Sequence, residues 1–160
     1  MTAKETVLNL YRAYASGDPG NISELLHPDV LWIAPPGNAT QVALGLGRPD
    51  DAGEPNGSNN LNHDKIVNFM AYNFRRLFID AKNEFTSIVS EENKVIVEHR
   101  LSALLPTGKR YVNDYCFYYE VLDGRIIKIR EYMDTRGGWA QVFGNEEPIT
   151  LLEFVSGSNA

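Results

Sequence analysis

Between Lys94 and Asp134 the chain repeats one pattern: alternating apolar and polar residues, broken by short Gly-containing links. Pro106-Thr107-Gly108 and Leu122-Asp123-Gly124 each fit a three-residue hairpin connection with Gly in the left-handed position. Strands joined by links this short must be antiparallel neighbours, so the stretch commits the chain to a sheet built from consecutive strands. Alternation then assigns the faces. Val95, Val97, His99, Leu101, Ala103 and Leu105 share one side of the first strand. Asn113, Tyr115, Phe117, Tyr119 and Val121 share the matching side of the second, and Ile127, Ile129, Glu131 and Met133 that of the third. The opposite faces carry Glu98, Arg100, Asp114, Lys128 and Arg130, so the odd-numbered face is the core face.

Three polar side chains interrupt that face: His99, Tyr115 and Glu131. Pairing Leu105 with Lys109 sets His99 opposite Tyr115, and pairing Val121 with Arg125 sets Tyr115 opposite Glu131, about 5 Å apart at Cβ. A two-residue link at Asp123-Gly124 is set aside, because it would turn Lys128 and Arg130 onto the apolar face. Polar groups buried without partners cost about 1–3 kcal/mol each, so the row is expected to be paired or functional. A carboxylate on an apolar concave face is a proton acceptor or donor near neutral pH. A tyrosine donates to a developing oxyanion, and a histidine relays or orients. Glu131, His99 and Tyr115 are therefore the expected catalytic group, suited to proton abstraction beside a carbonyl or to acid–base elimination. The structural alternative is a satisfied polar cluster that ties three strands together.

The rest of the chain supplies helices. Thr2 and Glu5 form a capping box for a helix over 2–16, with Val7, Tyr11, Tyr14 and Ala15 on one face, ended by Gly17. A short helix is expected from an Asn21 cap to about Leu26, closed by Pro28, and a strand at 30–34. Residues 35–61 hold Pro35, Pro36, Pro49 and Pro55 among several Gly and Asn, and are expected to build no packed element; they read as a lid, a pocket wall or a disordered insertion. Asn62 caps a long helix to about Phe78. Further strands are expected at about 82–90, 94–105, 109–121 and 125–133, then a short helix near 137–143. The expected class is α+β, a curved antiparallel sheet wrapped by N-terminal helices into a cone-shaped barrel, in one domain over 1–155 with a tail at 156–160.

Composition narrows the partners. Net charge is −6, which opposes nucleic acid and anionic membranes. One cysteine, Cys116, allows no intrachain disulfide and fits a reducing compartment, and no signal peptide or membrane span is apparent, so a cytoplasmic location is expected. His27 and His63 fall at helix ends away from His99, so no metal site is expected; no phosphate-binding glycine motif appears, and no cofactor is expected. The expected partner at this point is a small molecule or another protein.

Tyr14-Ala-Ser-Gly-Asp18, Leu26-His-Pro-Asp-Val30 and Asp123 through Thr135, in this order of elements, resemble the nuclear-transport-factor-2-like superfamily. Within it the chain is most similar to the SnoaL-like group of polyketide cyclases and ketosteroid-isomerase relatives. The resemblance implies an apolar pocket inside a cone, a homodimer formed through the outer sheet face, and a ligand wall drawn from Tyr11, Tyr14, Trp32, Phe69, Asn113 and Phe117. It also implies where chemistry sits. The isomerase base position falls near Ala34, and the oxyanion positions fall at Tyr11 and Tyr115. The epoxide-hydrolase triad falls at His99, Leu101 and Glu131. The last-strand acid of phenazine-biosynthesis proteins falls at Glu131, and their helix His at Phe69. The function implied is a lyase, isomerase or cyclase acting on an aromatic or polycyclic molecule; the alternative is a non-catalytic subunit like the small subunit of ring-hydroxylating dioxygenases.

Overall fold

The computed structural model describes residues 1–45 and 60–144. Of the lid or pocket wall expected over 35–61, residues 46–59 lie outside the described residues, as does the tail expected at 156–160. The elements run α1 (Ala3–Ser16), α2 (Pro19–Leu25), β1 (Leu26–Ile33), α3 (Ala39–Ala43), β2 (Asn60–Leu61) and α4 (His63–Asn68). A π-helical turn (Phe69–Asn73) leads into α5 (Phe74–Leu77), followed by β3 (Ile79–Glu91), β4 (Lys94–Leu104), β5 (Arg110–Leu122), β6 (Arg125–Met133) and α6 (Thr135–Phe143). The class is α+β, as the sequence indicated.

The described strands form one six-stranded sheet in the order β2-β1-β6-β5-β4-β3. Strands β3 to β6 are antiparallel, but β1 lies parallel to β6, so the sheet is mixed. No tight turn links β1 to β6, so nothing local dictates their relative direction. The sheet is also open, with β2 and β3 at its edges, rather than closed as a barrel. Among the described residues no helix is long and apolar enough to cross a membrane.

Helix α1 starts with the expected capping box: the Glu5 amide donates to Thr2 Oγ1 at 3.2 Å and the Thr2 amide to Glu5 Oε2 at 2.7 Å. Its buried face is Thr6, Val7, Leu10 and Ala13; Ala15 is exposed, contrary to the expected stripe. The helix ends at Gly17 with φ 71°, where Arg75 Nη2 donates to the carbonyls of Tyr14 and Ala15 at 2.9 and 2.8 Å. The Tyr14 carbonyl also accepts the Gly17 amide at 3.2 Å, and Arg75 from α5 adds a charged donor that seals the end. A Cβ on Gly17 would sit 2.7 Å from that nitrogen. Gly17→Ala is expected to lower stability by about 1–2 kcal/mol, from left-handed strain and a displaced Arg75. Urea melts check this; an unchanged midpoint would show that Arg75 does not hold the turn.

Helix α2 begins earlier than expected, because Asp18 caps it by accepting from the Asn21 amide at 3.0 Å and Pro19 fits the first helical position. Pro28 does not close that helix. It lies in β1, in the irregular stretch between Leu26 and Leu31 where pairing with β6 is interrupted. Residues 35–61 do build an element: Asn38 caps α3, whose Ala39, Thr40 and Gln41 are buried. Asn62 caps α4 as read, but the following helix is broken by the π-helical turn, which the apolar stripe did not signal. Asp134 caps α6 by accepting from the Gly137 amide at 2.9 Å.

The two hairpin turns decide the site. The first is as expected: Leu105 donates to the Lys109 carbonyl at 2.8 Å, Gly108 has φ 79°, and His99 pairs with Tyr115. The second differs. Leu122 pairs with Arg125, leaving the two-residue link Asp123-Gly124 with φ 50° and 76°, the left-handed pair of a type I′ turn. A bulge then restores the faces. Val121 pairs with Ile126 but Glu120 with Lys128, so Ile127 is the extra residue and Ile126 takes the buried place expected for it. Glu131 stays on the core face but moves on by two residues, opposite Phe117, while Tyr115 lies opposite Met133.

Candidate functional site

The inner face of the sheet and the helices enclose a cavity of about 50 Å³. His99, Tyr115 and Glu131 all line it. So do Tyr11 and Tyr14 from α1, Trp32 from β1, Phe69 from the π-helical turn and Phe117 from β5. Asn113 does not: its Nδ2 donates to the Tyr111 hydroxyl at 3.1 Å and to the Asp134 carbonyl at 3.0 Å.

Glu131 is 6% exposed. Both of its hydrogen bonds fall on one oxygen: Trp32 Nε1 donates to Oε2 at 3.1 Å and Asn38 Nδ2 donates to the same atom at 3.2 Å. Among the described residues none is made to Oε1. Burial pushes the carboxyl up to about 7, and the two donors oppose this only in part. Lys and Arg side chains are absent from the cavity wall formed by the described residues. A carboxyl desolvated without a cation and titrating near neutrality is a group able to take and return a proton.

The expected neighbourly trio is not formed. The bulge in β6 puts Glu131 beside Phe117, and His99 is two strands away, about 10 Å by the spacing of paired strands. Tyr115 bonds Tyr111 instead, hydroxyl to hydroxyl at 2.8 Å. Asn113 donates to the same Tyr111 hydroxyl, so the two tyrosines and Asn113 form one hydrogen-bonded chain ending at the cavity. Across the pocket, Tyr119 donates to the Tyr11 hydroxyl at 2.9 Å, which frees the Tyr11 proton. Burial holds both of these cavity phenols well above their usual range, so they stay protonated donors.

His99 is 5% exposed and neither ring nitrogen has a hydrogen-bond partner among the described residues. Its ring lies nearly parallel to Tyr115 and Phe117, with centroids 5.4 and 5.6 Å away. Burial lowers its pKa to about 4, so it is neutral at physiological pH. It is an unsatisfied polar ring in an aromatic stack, neither paired to Glu131 nor ionised.

Several cavity residues, Asn38 and Gln41 among them, escaped the sequence reading. Asn38 holds Glu131, and Gln41, also buried, presents an unpartnered Oε1. Both lie in the Pro- and Gly-rich stretch. Asn38-Ala-Thr-Gln41, a cap residue followed three later by Gln, was the signal available there.

Residues 7–129 match the SnoaL-like domain. The chain belongs to the SnoaL-like family. Among solved structures, this SnoaL-like chain is similar to TerC, co-crystallised with polyporic acid: 20% identity, 88% of this chain and 97% of the other, TM-score 0.68. It is also similar to IdmH of Streptomyces antibioticus, a candidate polyketide cyclase: 21% identity, 89% and 99% covered, TM-score 0.67. A third is an NTF2-like protein of unknown function from Burkholderia pseudomallei: 17% identity, 89% and 99% covered, TM-score 0.67. These likenesses establish a shared nuclear-transport-factor-2-like fold. A search of curated proteins gave no match.

Proposed function

We propose that this SnoaL-like chain is a cofactor-independent acid–base enzyme, an isomerase, lyase or cyclase, acting on a small hydrophobic aromatic or polycyclic molecule in this cavity. One observation carries the reading: Glu131, raised to about 7, lines an aromatic-walled pocket and has one oxygen, Oε1, that no described residue hydrogen-bonds. In the proposed step, Oε1 removes a proton from carbon beside a carbonyl. The C–H pair moves into the new C=C bond, and the carbonyl oxygen becomes an enolate that accepts from Tyr115 or Tyr11. The enolate then takes the proton back from Glu131 at another carbon, or its carbon attacks a second carbonyl carbon of the same molecule to close a ring, that carbonyl's π pair moving to its oxygen, which takes the Glu131 proton. The cation-free wall favours an uncharged ligand over a carboxylate or phosphate. IdmH, a candidate cyclase of the same fold, supports the class of reaction.

The test uses 2-tetralone, a two-ring ketone, in deuterated buffer. Incorporation of deuterium beside the carbonyl, read by NMR, is expected to exceed the buffer rate and to rise through about pH 7 as Glu131 ionises. Exchange no faster than buffer across pH 5–9 would overturn the reading.

A further inference from the structure

We propose that Asn38 is a positioning residue for Glu131: it fixes Oε2 and thereby presents Oε1 as the atom that exchanges the proton. This rests on the acid–base reading of Glu131. Asn38 is buried, and both ends of its amide are committed. Its Oδ1 accepts from the Gln41 amide at 3.2 Å, which starts α3, and its Nδ2 donates to Glu131 Oε2 at 3.2 Å. Turning the amide over would set a carbonyl against a carboxylate and an NH₂ against a backbone N–H, so the two bonds fix one orientation.

The residue type is specific to this double task. Asp and Ser cap a helix about as well as Asn does, and Thr nearly so. Asp would face Oε2 with a second acceptor, and Ser or Thr lacks the reach and the second donor. Asn alone among the favoured caps serves both partners. Trp32 brings a second donor to the same oxygen from β1, so α3 and β1 together hold one side of the carboxylate. When a proton arrives on Oε1, Oε2 remains a carbonyl-type acceptor. The clamp therefore persists through the proton cycle, and the transferred proton stays on the cavity side.

Asn38→Ser keeps a cap for α3 and removes the donor to Glu131. Asn38→Asp keeps the cap and reverses the polarity facing Oε2. In both, the titration of Glu131, followed by its ¹³C carboxyl shift, is expected to move above the wild-type midpoint of about 7, further for Asp because two carboxyls then share one site. The rising limb of 2-tetralone exchange should move with it, slowing exchange several-fold at pH 7, while the melting temperature at pH 5 stays near wild type. A capping role alone predicts wild-type titration in both variants and a loss of stability confined to Asn38→Ala; that result would overturn the inference. Should the Ser variant fail to fold, the Asp variant decides. Loss of exchange in Glu131→Gln with unshifted Asn38 variants sinks this inference alone. Full exchange in Glu131→Gln sinks the acid–base reading, and this one with it.

Discussion

Glu131→Gln is expected to slow 2-tetralone exchange by two to four orders of magnitude while making the protein more stable above pH 7. The rate effect is the usual contribution of a positioned general base. The stability effect follows from linkage. The carboxyl titrates at an ordinary 4.5 when exposed and at about 7 when folded. Between those values the native state binds more protons than the unfolded state, so stability falls as pH rises. The stabilising share is complete below pH 4.5 and lost above about 7, a difference of about 3 kcal/mol. Gln keeps the shape and an acceptor for Trp32 and Asn38 but never ionises. The variant should therefore match wild type near pH 4.5 and exceed it by about 3 kcal/mol at pH 9, read from urea melts at several pH values. Wild-type exchange in this variant would remove Glu131 from the chemistry. Equal pH profiles of stability would show that it is not desolvated.

His99→Phe should stabilise the acid side. A group lowered from 6.5 to about 4 on folding contributes stability that is complete above pH 6.5 and lost as pH falls through 4. At pH 5 the unfolded imidazole is protonated and the native one is not, which costs wild type about 2 kcal/mol. Phe packs against the same rings, does not titrate and carries no ring nitrogen to leave unpaired. The expected outcome is a gain of about 2 kcal/mol at pH 5 and slower exchange at every pH. An unmatched polar ring kept at such a cost is intelligible if the ligand meets it, and stability is commonly sacrificed at functional sites. A variant less stable than wild type at pH 5 would contradict the titration argument. A more stable variant with unaltered exchange would leave His99 as packing alone.

How far the sequence could be read depended on the kind of signal at each residue. The faces of β4 and β5 follow from strict alternation and one turn, so the pairing of His99 with Tyr115 was legible. Glu131 was placed on the right face by a wrong route. A three-residue turn and a two-residue turn followed by a bulge have the same parity, and only the register distinguishes them. That register moved Glu131 from Tyr115 to Phe117 and dissolved the expected trio. Its partners Trp32 and Asn38 lie 99 and 93 residues away in sequence, and no local pattern announces them. Proline and glycine masked α3, because their turn signals outweigh a five-residue helix, although Asn38 carried a capping signature. The parallel pairing of β1 with β6 is a long-range choice that neither strand encodes on its own.

The central claim is a buried carboxyl ready to exchange a proton at neutral pH, and its own titration tests it most directly. Selective ¹³C labelling of glutamate, with Glu131→Gln to assign the signal, reports the carboxyl shift of the wild-type protein from pH 3 to 9. A midpoint near 7 is the predicted result. A midpoint near the ordinary 4.5, in a protein folded throughout, would contradict it.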